Sequence, residues 1–157
     1  MVMSTEIERI KDQMHKTFYS DAWHGGSVME FLSEISAKEA ASRPLKARHS
    51  IWELVPHMET WKRVARYALE GKEIGRISPE ENWPPIEDVS EESWPRTVES
   101  LREEHEALVG ALSRLSEERL GETVPGRSYS FYTLLHGVIH HDLYHLGQIA
   151  ILKEKKE

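Results

Sequence analysis

The chain reads as an all-α protein, a four-helix bundle with a long crossover between helices two and three. Three observations lead there. Four segments carry apolar residues at three- and four-residue spacing, the period of a helix with one buried face. No stretch alternates with period two, as a half-buried strand would. Between the second and third helical segments runs a proline-rich stretch that is a connection rather than a domain linker, because each flank is too short to fold alone. Bundles with such connections place metal sites between facing helices.

The first helix is expected over roughly residues 4–20. His24-Gly25-Gly26 breaks it, a short apolar piece from Val28 to Leu32 follows, and Arg43-Pro44 closes the connection. Helix two, roughly 50–70, has a clear start. Ser50 and Glu53 match the S-x-x-E capping box, in which each side chain satisfies the other residue's backbone N–H. Pro56 lies inside this helix and deprives the Trp52 carbonyl of its usual donor, which places a kink just before His57. Gly71 ends the helix. The crossover from Gly71 to Pro95 holds Pro79, Pro84, Pro85, Trp83 and the only asparagine, Asn82. Helix three, roughly 94–116, carries Val98, Leu101, Leu108, Leu112 and Leu115, with His105 in the one missing position of the stripe. Gly121 and Pro125-Gly126 make the last turn, and helix four runs over roughly 130–154.

The 157 residues suit one domain, 1–157, with a core large enough to fold alone. Charged residues make up 30%, and no run of about 18 apolar residues signals a membrane span. The first residues lack the basic start and apolar core of a signal peptide, so a cytoplasmic location is expected. There are no cysteines, which removes disulfides, thiolate zinc sites and a cysteine nucleophile together. Any transition metal must therefore be held by His, Asp or Glu. The net charge of −7 argues against nucleic acid, which rewards Lys and Arg that displace counterions.

The histidines carry the chemistry. Four of nine fall within His136–His145, on helix four. Side chains four apart on a helix share a face, and two such pairs compete: His136 with His140, and His141 with His145. On a helical wheel with His141 at zero, Leu134, Val138, Ile149 and Leu152 fall at roughly 20–80°, and His145 at about 40° lies in their midst. His136 and His140 fall near 220–260°, away from the core. The inward pair is His141 and His145. On helix two, Leu54, Trp61, Ala65 and Ala68 lie within roughly 80° of His57, which borders the buried stripe. Two histidines from one helix and one from another make a three-nitrogen site with open coordination positions, as catalytic metal sites have. His105 reads as a hydrogen-bonded residue of the seam, with a fourth-ligand or ligand-supporting role as the alternative. His15, His24 and His49 show no spacing signal.

Asp142 is the other anomaly, at about 100° in the middle of the apolar arc. A buried carboxylate needs a partner: it orients an imidazole behind the metal ligands or pairs with a base on another helix. Glu53, one turn before His57, is the carboxylate nominated as a general base. Trp83 either covers the mouth of the site or simply packs on the bundle.

Together, Ser50-Ile-Trp-Glu-Leu-Val-Pro-His57-Met-Glu-Thr-Trp61, Asn82-Trp-Pro-Pro85 and His141-Asp-Leu-Tyr-His145-Leu-Gly-Gln148-Ile149 resemble the DinB/YfiT-like superfamily over nearly the whole chain. The closing Gly-Gln after the second histidine is the more specific part. The resemblance implies a four-helix bundle in which His57, His141 and His145 hold a divalent ion, zinc or nickel, and it points to a homodimer. It does not imply one reaction. A metal-dependent hydrolase acting through metal-bound water is the reading adopted, on a small-molecule substrate, with neither nucleic acid nor membrane as partner. The alternatives are a thiol-dependent S-transferase of the bacillithiol type, which would use a low-molecular-weight thiol, and a metal-binding homodimer without turnover.

Overall fold

The computed structural model describes residues 5–44 and 49–154, and its described residues are helical, with one isolated bridge between Thr123 and Ser130 in place of any strand. Seven α-helices follow in order among them: α1 (Glu6–Phe18), α2 (Val28–Ser33), α3 (Ala37–Ala41), α4 (Ile51–Leu69), α5 (Pro79–Asn82), α6 (Ser93–Leu112) and α7 (Phe131–Glu154). A 3₁₀ turn, Glu117–Gly121, separates the last two. The long helices α1, α4, α6 and α7 are the four expected from periodicity. Residue 4, the first expected in helix one, lies outside the described residues, as do the residues from which the absence of a signal peptide was partly read.

Local chemistry explains where the helices begin. Thr5/Glu8, Ser27/Glu30, Ser36/Glu39, Ser50/Glu53 and Ser78/Glu81 all close capping boxes. Each satisfies N–H groups that a helix start leaves without an intrahelical partner. α6 ends earlier than its leucine spacing suggests. After Leu112 the chain tightens to i→i−3 bonds, Arg114 N–H to Ala111 O and Leu115 N–H to Leu112 O, so Leu115 still reaches the core from a turn. α4 runs unbroken through Pro56. The crossover is not wholly irregular: α5 forms within it behind the Ser78 cap, with Pro79 at the first helical position, where its missing N–H costs nothing.

α4 packs on α6 and α7, and α1 lies against α7. The core has two apolar clusters. One takes Ile10 and Met14 of α1, Val64 to Leu69 of α4, Leu108 and Leu112 of α6, and Phe131 to Ile139 of α7. The other takes Phe18, the short helices, Ile51 to Met58 of α4, Trp94 and Leu101 of α6, and Leu146 to Leu152 of α7. On α4, α6 and α7 the stretch between the clusters carries buried polar residues: Thr60 and Lys62, just after His57, on α4, His105 on α6, Asp142 and His145 on α7. The bundle therefore has a polar waist, and the histidines of interest sit at it. Among the described residues no helix is long and apolar enough to cross a membrane.

Candidate metal centre

The Ser50/Glu53 cap starts α4 two turns before His57, and the i,i+4 spacing on α7 stacks His141 and His145 on the face turned to it. The three rings converge through their Nε2 atoms. His141 Nε2 lies 3.1 Å from His57 Nε2 and 3.0 Å from His145 Nε2. One nitrogen from each residue falls within 4.8 Å of the others, with His57 and His145 buried and His141 half-buried.

The opposite edges of two rings decide which nitrogens carry protons. His57 Nδ1 donates to the backbone carbonyl of Asn82 at 2.6 Å, and a carbonyl can only accept. His145 Nδ1 donates to Gln148 Oε1 at 2.7 Å, one turn further along α7. Both rings therefore present a bare Nε2 lone pair to the centre. A single proton on His141 Nε2 would satisfy one neighbour and leave the other facing a lone pair across about 3 Å. A cation bound to all three nitrogens resolves the conflict, and the Nδ1 bonds are those that orient metal-bound imidazoles. Three neutral imidazoles, without thiolate or carboxylate, suit a borderline divalent transition-metal ion rather than magnesium or calcium.

The crossover supplies the roof. Asn82 reaches both sides of it, its carbonyl on His57 and its Oδ1 accepting from the Trp61 indole N–H at 2.9 Å. Trp83 stacks on His57 with ring centroids 3.9 Å apart, and also on His49 at 3.5 Å. Both readings of Trp83 have support: the indole packs against the second apolar cluster and lies on a site histidine. His49, which had no spacing signal, joins it there.

Burial sets the protonation state. Desolvation holds His57 down to about 4 and His141 down to about 3, helped in each case by the neighbouring histidines. His145 is lowered too, again mainly by burial. Folding thus selects neutral rings, and their protons do not compete for the metal until the pH falls well below 6.5. For three ordinary imidazoles, protonation alone would weaken zinc binding several-hundred-fold between about pH 7 and 5.5. Here the apparent zinc affinity should fall less than about tenfold over that range. Competition with a chelator of known affinity at each pH measures it, and a several-hundred-fold loss would contradict neutral, buried ligands.

Behind the triad lies a buried ion pair. Asp142 is 2% exposed and accepts from Lys62 Nζ at 2.5 Å, and Lys62 is 1% exposed. Burial pushes the Asp142 carboxyl up, against the pull of Lys62. His105 completes the cluster, its Nδ1 3.3 Å from Lys62 Nζ, its ring stacked on Phe18, and burial holds it neutral, down to about 2. The structure therefore joins Asp142 and His105 through Lys62, which sequence reasoning passed over. The signal was available: with His57 at zero, Lys62 falls at about 140°, between Leu69 and Val55 on the buried face of α4.

The remaining histidine pair stands apart. His140 is exposed, and His136 Nε2 lies 3.8 Å from Glu6 Oε1 on α1. Glu53 is committed elsewhere. Its Oε2 accepts from the Ser50 N–H, the Ser50 hydroxyl and Arg43 Nη2, bonds that together hold its carboxyl below the usual range despite partial burial.

Two comparisons find no relative: no curated protein and no solved structure matches the chain. The third gives one result. Residues 22–149, well over half of the chain, match the sequence profile described as the DinB superfamily. The matched span contains all three converging histidines, Asn82 and Gln148.

Proposed function

The chain belongs to the DinB superfamily, and from that premise we propose that it is a divalent-metal-dependent hydrolase whose ion is held by His57, His141 and His145. The observation that carries this reading is the convergence of three Nε2 atoms, two of them stripped of protons by hydrogen bonds on their far side. When bound there, a zinc or nickel ion supplies Lewis acidity, its charge not offset by any anionic ligand, and lowers the pKa of water or of a thiol that shares it.

The chain's own residues do the rest. Asn82 and Gln148 fix ring orientation. Trp83 covers one face of His57 and keeps water from it. Glu53 anchors the N-terminus of α4, its Oε2 held by Ser50 and Arg43, and it has no part as a base in this proposal. The reaction proposed is hydrolysis of a small ester or amide: water is consumed, the acyl C–O or C–N bond breaks, and an acid and an alcohol or amine leave.

Activity should follow occupancy. Chelation abolishes turnover of an ester and amide panel, zinc or nickel restores it, and the rate rises with pH as the nucleophile deprotonates. Running the panel with and without a low-molecular-weight thiol separates hydrolysis from thiol transfer. Turnover that persists in the metal-free triple-histidine variant would contradict the mechanism.

A further inference from the structure

A concave, apolar cavity of about 360 Å³ lies beside the triad, with His141 in its wall. We propose that it binds the hydrocarbon arm of a neutral substrate whose polar end lies at the three histidines. The proposal rests on the metal-dependent reading above and names its substrate class.

One stripe of α7 makes most of the wall: Leu134, Gly137, Val138 and His141, at i, i+3, i+4 and i+7. Trp61 of α4 and Tyr129 close it. The volume is in the range of small-ligand sites, and roughly twice the ~150 Å³ of a cavity that holds one benzene ring. That gives room for about a dozen carbon atoms.

The lining holds no lysine, arginine or carboxylate, and two of its polar groups are engaged elsewhere. The Trp61 indole N–H donates to Asn82, and Thr133 Oγ1 lies 3.2 Å from Ser130 Oγ. A carboxylate or phosphate placed here would lose its hydration with no cation in the wall to replace it. An alkyl or aryl group would lose nothing. His141 belongs to both places, since its Nε2 meets the other two histidines while the residue lines the cavity.

Gly137 points the same way. It is not among the glycines with positive φ, and a Cβ built there would meet nothing within 4 Å. Neither backbone conformation nor crowding calls for glycine at this position, where a helix interior disfavours it. What a side chain there would occupy is the cavity.

The test uses two matched probe series. Straight-chain alkanehydroxamic acids, from acetohydroxamic to octanohydroxamic acid, are titrated into zinc-loaded protein. The corresponding primary amides are titrated into metal-free protein, with binding followed by NMR at the Trp61 indole N–H and the Gly137 amide. In both series affinity should rise about fourfold per methylene, the equivalent of ~0.8 kcal/mol, until the chain fills the cavity. Gly137→Leu should flatten both slopes and leave acetohydroxamic acid binding and zinc content as they were, with Gly137→Ala intermediate. A chain ending in a carboxylate should lose the gain.

Absence of chain-length dependence, or a slope that Gly137→Leu leaves intact, would overturn the proposal. So would a change in sedimentation mass on Gly137→Leu with unchanged slopes, which would give this face to a second copy of the chain. A slope in the amide series from protein that takes up no zinc when zinc is offered would instead sink the metal reading and leave this one standing.

Discussion

Asp142→Ala should destabilise the metal-free chain by about 3–5 kcal/mol, because it strands the Lys62 ammonium in the core. Lys62 has no route to water at 1% exposure, and its remaining neighbour at hydrogen-bond distance, His105, is held neutral. For a chain of this size the loss corresponds to a drop of roughly 6–20 °C in Tm. Lys62→Met should cost a comparable amount through the opposite charge. Replacing both together, Lys62→Met with Asp142→Leu, should recover most of the loss, since a buried ion pair contributes little more than apolar residues of similar volume. Denaturant titration of these proteins and of the Asp142→Leu single variant, all without metal, closes the cycle and gives the coupling directly. Additive losses in the double variant would mean that the pair is not an isolated unit of the waist.

The second large effect is on the metal. His57→Ala, His141→Ala and His145→Ala should each weaken zinc binding on the order of 10²–10³-fold, a third of the donor set in each case. His136→Ala and His140→Ala should leave it within about twofold, although they form the same i,i+4 pattern on the same helix. Gln148→Ala should fall between, at about 10–100-fold, because it removes the acceptor that fixes the His145 ring and not a ligand. An affinity lost with His136 and kept with His145 would place the site on the wrong face of α7.

Much of this was legible in the residues. The four long helices followed from apolar spacing, and the S-x-x-E pattern that marked α4 also marks α2, α3 and α5, where it went unread. The wheel separated His141 and His145 from His136 and His140, because it registers which face is apolar, and it flagged Asp142 as an acid in the core. Other features carry no comparable signal. The acceptor for His57 Nδ1 is a backbone carbonyl, which any residue could supply, so only the fold brings Asn82 to it. Lys62 went unnoticed since a lysine on a helix ordinarily extends its ammonium to water. The end of α6 was overrun because Leu115 keeps the helical spacing after the backbone has tightened into turns. The cavity beside His141 has no pattern of its own: it is the absence of a side chain at Gly137 set against residues from another helix.

The most direct test of the account is X-ray absorption at the metal edge of protein purified, stripped and reloaded with one equivalent of zinc. It should show one tightly held ion per chain, with three imidazole nitrogens at about 2.0–2.2 Å. The imidazole count should fall in His57→Ala and His145→Ala and stay unchanged in His136→Ala. A chain that retains no zinc after desalting, or an ion whose shell holds fewer than three imidazoles, would contradict the three-histidine centre.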